Sequence, residues 1–133
     1  MSDVSEEAIS RLKRIREALE KGSGLYNSGH FFECHEVLEK VWLAENGDVK
    51  VFLQGIIKIA AAFHHFRKET FRGMLDLLVA GRDLVDRFRP FYRGIELEEF
   101  LSAIDAWIPR ARRLANGELS YVKVEIPHLI YIS

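Results

Sequence analysis

The chain has 133 residues, of which 48% are hydrophobic and 29% charged, with a formal net charge of -1. That length suits one domain hiding roughly two thirds of its unfolded surface, and that balance excludes a disordered chain and offers no bulk attraction to nucleic acid. The longest apolar runs, such as Ile59 to Phe63, fall far short of the ~20 residues that cross a bilayer, and no charged-then-apolar leader opens the sequence, so a cytoplasmic protein without a membrane partner is expected.

Taken in chain order, the first helix begins near Ser5, carries Ile9, Leu12, Ile15 and Leu19 every three to four residues, and is interrupted at Gly22-Ser23-Gly24. After a corner at Gly29, where Asn27 reads as a turn residue bonding local backbone, Phe31, Cys34, His35, Leu38, Val41 and Trp42 follow helical spacing to Asn46-Gly47. A third helix, capped by Asp48 and running from Val49 to about Lys68, is apolar on nearly every side and therefore central. Thr70 caps a fourth, which Pro90 stops; Phe91 to Ile95 reads as a loop, and a fifth runs from Leu97 to Leu114 straight through Pro109. Glu118 to Ser133 is rich in Tyr, Val and Ile and reads as an extended tail strapped across the bundle, although a lone strand has nothing to pair with. The expected fold is all-α: a compact bundle of about five main helices with a central apolar helix and an extended C-terminal tail, one domain over 1–133.

One polar cluster stands out. On a helical wheel of about 100° per residue, His35 falls in the stripe of Phe31, Leu38 and Trp42 and is expected to face the core, with Glu39 one turn on and partly buried. A buried carboxylate demands a partner, and the third helix offers Gln54, Lys58 and His65 in one row, while His64 follows Leu53, Ile57 and Ala60. Docking of the two helices with His35 and Glu39 turned toward that row is the expectation. Glu33 and Glu36 project away from the stripe, with Glu33 suited to the helix dipole, and Cys34 reads as a core filler that cannot lean on the adjacent His35.

The stretch Asn27, Gly29, Phe32, Glu33, His35, Glu36, Leu38, Glu39 and Trp42, centred on His-x-x-x-Glu-x-x-Trp, and the later Phe52-Leu53-Gln54-Gly55, Ala60-Ala61 and His65 resemble the domain of unknown function 309 family over roughly residues 5 to 115. The resemblance implies an all-helical bundle of bacteria and archaea with no established activity. Lys68-Glu69-Thr70 stands where relatives tend to carry an Arg-Gly-Asn turn, and Lys58 brings a cation to a row expected to be neutral.

Two functional readings follow. In the first, His35, Glu39, Gln54 and His65 close an internal hydrogen-bond network, with the Trp42 indole N–H donating nearby, inside a cytosolic interaction or scaffolding module that binds a protein partner or a second copy. In the second, His35, Glu39 and His65 hold a divalent metal in a small metal-dependent enzyme, although Lys58 would stand beside the ion. Catalysis without metal would use Glu39 as base and His35 or His65 as its proton partner. The arginines at 82, 87, 89, 93, 110, 112 and 113 are interspersed with Asp83, Asp86 and Glu96, which reads as solvated helix faces with local ion pairs rather than a nucleic-acid surface.

Overall fold

The computed structural model describes residues 5–121 and 124–132. Among them five helices follow one another, α1 (Glu6–Asn27), α2 (Phe31–Ala44), α3 (Gly47–Arg67), α4 (Phe71–Asp86) and α5 (Glu98–Ala115), with two short strands, β1 (Phe91–Tyr92) and β2 (Ile95–Glu96), ahead of α5. Each helix packs on the next along the chain, giving the expected all-α bundle. None is long and apolar enough to cross a membrane.

α3 is the central helix, with Phe52, Leu53, Ile56, Ile59, Ala60, Ala62, Phe63 and Phe66 all buried. Phe63 shows why: its ring lies 5.2 Å from that of Trp107 on α5 and 6.0 Å from that of Phe31 on α2, and burial of one such side chain contributes about 1.5–3 kcal/mol. α3 and α4 approach backbone to backbone at Gly55 and Gly81, where a Cβ on Gly81 would lie 2.7 Å from the Gly55 carbonyl oxygen. Pro109 lies inside α5, which continues through it.

Ser5 caps α1, its side chain accepting from the Ala8 amide at 3.1 Å. The helix then runs through Gly22-Ser23-Gly24 instead of breaking there. Gly22 is where α1 meets α2, since a Cβ would stand 3.0 Å from Leu38 Cδ2, and the helix must go on to deliver Tyr26 to the rings of Phe31, Phe63 and Phe100. That burial outweighs the roughly 1 kcal/mol per glycine of lost helix preference. Ile9 and Leu12, expected in the core, are instead exposed.

Three helices end alike. After α1, α3 and α5 the residues Gly29, Glu69 and Gly117 take positive φ, and paired backbone bonds such as His30 N–H to Leu25 O and Gly29 N–H to Tyr26 O close a Schellman motif. Glu69 does so without glycine's freedom. Thr70 does not cap α4 with its side chain; its hydroxyl turns back to His65. Asp48 likewise sits within α3 and accepts from Arg87 at 2.9 Å, while Asn46 holds the cap position.

The segment read as a loop is an antiparallel hairpin with Phe91 opposite Glu96. Its turn residues Arg93 and Gly94 both have positive φ, as a two-residue turn matched to strand twist requires. The tail finds a partner here: Tyr131 bridges to Ile95, the Glu96 amide donates to Ile130 O, and the Ile132 amide to Gly94 O. Buried Leu129 anchors it. Of the expected extended segment, residues 122, 123 and 133 lie outside the described residues.

Candidate functional site

α2 turns Phe31, Cys34 and Leu38 inward. The middle of that stripe is set by the buried Phe31, Cys34 and Leu38, which places His35 roughly 65° round the helix, at the edge of the core, and Glu39 further out. The side chains of His35 and Glu39 are accordingly 31% and 52% exposed, and they pair with each other across 3.1 Å from Nε2 to Oε2. The expectation of a buried carboxylate is corrected: Trp42 is a flank of the stripe and not its centre. Phe32 (51% exposed) and Leu43 (67%) share this outward face, as does Glu36.

The expected network is not assembled. Among the described residues no hydrogen bond joins His35 or Glu39 to Gln54, Lys58 or His65; Gln54 and Lys58 are half-buried without such a contact. His65 shares a 2.7 Å hydrogen bond with Thr70 Oγ1 and thereby braces the turn into α4. The Trp42 indole N–H is buried without an acceptor, while Lys50 Nζ lies 4.4 Å from the Trp42 ring centroid in a cation–π contact. No group of three or more His, Cys, Asp or Glu among the described residues is placed to hold a metal ion, so His35, Glu39 and His65 do not form the trio that the metal reading requires.

His64 is the histidine that extends the outward face onto α3. Its ring centroid lies 5.8 Å from that of Phe32 and 6.3 Å from that of His65, and Phe32 lies 6.2 Å from His35. Burial first, then Lys68 and His65, hold the His64 pKa below the ordinary histidine value, with Glu33 opposing and His35 adding a little. The face thus runs from Leu43 through Glu39, His35 and Phe32 to His64. Cys34, behind it, is a fully buried thiol that burial pushes up to about 12, which removes it as a nucleophile at neutral pH.

Three further residues carry structure that the sequence reading missed. Asn27 does not bond local backbone: its Nδ2 donates to Leu129 O at 2.9 Å, and its Oδ1 accepts from the Leu129 amide at 2.7 Å, clamping the tail 102 residues away. Arg11 grips the almost wholly buried Glu45 carboxylate at 2.7–3.1 Å, tying α1 to the end of α2. No periodicity reveals either pairing, because each is non-local. Of the arginines read as locally paired, Arg82 and Arg89 both meet Asp86, at 3.4 and 2.8 Å, whereas Arg82–Asp105 and Arg87–Asp48 join residues 23 and 39 positions apart.

Residues 19–77 match the model of a family described as a domain of unknown function (DUF309), a narrower span than the resemblance read from the sequence, and one that contains all of α2 and α3. An uncharacterized protein of Aquifex aeolicus (strain VF5) is 36% identical over 58 residues, which make up 43% of this chain and 17% of that protein. The chain therefore spans only a small part of that relative's length.

Proposed function

We propose that the chain, whose residues 19–77 match that family, is a small helical interaction module acting as one domain over 1–133, and that its docking surface is the outward face of α2. One observation carries this reading: Phe32 and Leu43, both more than half exposed, flank the His35–Glu39 pair on a single helix face. An i, i+4, i+7, i+11 row with apolar ends is how a helix presents itself to a partner, and large exposed apolar side chains rimmed by polar ones mark contact sites.

Glu33, Glu36 and Glu39 lie on or beside this face, with the cation of Lys40 and the half-buried His35 next to them. The partner is accordingly a protein that offers apolar side chains flanked by basic ones. The test compares proteins captured by the wild-type chain and by Phe32→Ser/Leu43→Ser. Both positions are exposed, so the variant keeps its melting temperature and loses the captured partner; retention of the same partner at equal yield would overturn the reading.

A further inference from the structure

A second apolar surface lies away from α2. Arg11 reaches Glu45 at the end of α2, so the residues of α1 before Arg11 run on past that end, and no residue of α1 before Ile15 is buried. Ile9 on this overhang and Leu12 just inside it occupy one face. Leu12, Ile15 and Leu19, with Arg16, form one wall of a groove of about 300 Å³ whose other wall is Phe91 and Ile132 with Arg93. Ile9, Leu12, Phe91 and Ile132 are each roughly half exposed.

The charges around this face match their own two-fold copy. Glu6 and Lys13 are seven residues apart, two turns, and so lie on the same flank of the Ile9–Leu12 face; Arg16 follows one turn beyond Leu12. In two antiparallel copies of α1 crossing near Ile9, equal flanks face each other, so Glu6 of each stands against Lys13 of the other with Arg16 close behind. Parallel copies would turn this flank away from its counterpart, so Glu6 and Lys13 would not meet across the seam. A patch complementary to itself under a two-fold rotation is the requirement for a closed dimer.

The geometry points to a homodimer in which the overhanging part of α1 packs antiparallel on its counterpart, with Leu12 and Ile9 at the axis and Phe91 and Ile132 at the margin. This surface is separate from the outward face of α2, which stays free in the dimer. It gives a reason for an apolar stripe in the first turns of α1 that the bundle itself leaves uncovered.

Sedimentation equilibrium of the 133-residue chain over low to high micromolar concentration tests it. The wild type is expected to dimerise reversibly. Leu12→Asp, at an exposed position, keeps the circular dichroism spectrum and weakens the dimer at least tenfold. Glu6→Lys and Lys13→Glu each weaken it several-fold, and the double exchange Glu6→Lys/Lys13→Glu restores it, while Leu43→Asp on the α2 face leaves it unchanged. A monomer throughout the range, a dimer indifferent to Leu12→Asp, or a double exchange that does not recover would each overturn the proposal.

Discussion

Gly81→Ala should destabilise the bundle even though alanine is the better helix former. The added methyl would lie 2.7 Å from the Gly55 carbonyl oxygen, 2.8 Å from Ile59 Cγ1 and 3.0 Å from the Ile59 nitrogen, well inside the ~3.5–4.0 Å at which such atoms rest. Ile59 Cγ1 can swing aside, but two of the three neighbours are backbone, so α3 and α4 must move apart. Overpacking of this kind costs about 1–3 kcal/mol, against a gain of about 1 kcal/mol in helix preference. The net expectation is a loss of up to about 2 kcal/mol, a fall in Tm of up to roughly 10 °C, followed by circular dichroism. Gly24→Ala is the control, because nothing lies within 4 Å of its added Cβ and only the propensity gain of up to about 1 kcal/mol remains. A Gly81→Ala protein stabilised as much as the Gly24→Ala control would refute the close helix crossing.

Asn27→Ala removes both bonds to Leu129 and leaves a partly buried amide and carbonyl unmatched; a loss of about 1–3 kcal/mol is expected, with faster hydrogen exchange of the Leu129 amide well before the helices open. Glu69→Gly relieves a left-handed residue with φ 59°, worth about 1 kcal/mol, so a rise in Tm of a few degrees is expected. His64 titrates lower when folded than when unfolded, so the unfolded state binds its proton first as pH falls. Its contribution is complete above the unfolded value of about 6.5 and is lost as pH drops from there through the folded value; Tm measured from pH 7 to 5 should fall less for His64→Gln than for the wild type.

The helices were legible because their apolar positions recur with helical spacing, and α3 announced itself by being apolar all round. What the sequence reading placed wrongly follows from single choices of phase or partner. Centring the core stripe of α2 on Phe31, Leu38 and Trp42, without the buried Cys34, rotates His35 and Glu39 inward, and every inference about a buried network comes from that rotation. Gly22 and Gly24 read as a break because spacing cannot tell a glycine that ends a helix from one that lets Leu38 approach. The hairpin reads as a loop because its strands are only two residues each, and the tail's pairing with it joins residues more than thirty positions apart, as Ile95 and Tyr131 show. Lys68-Glu69-Thr70 makes a Schellman turn whose middle position takes a left-handed backbone that glycine adopts freely and Glu69 adopts under strain.

Thermal unfolding of His35→Ala/Glu39→Ala tests most directly whether the motif faces outward. An exposed i, i+4 pair contributes about 0.2–0.5 kcal/mol, so the double variant is predicted to melt within about 2 °C of the wild type. A collapse of about 3 kcal/mol or more, the penalty for stripping partners from a buried charged group, would contradict the outward face and return these two side chains to the interior.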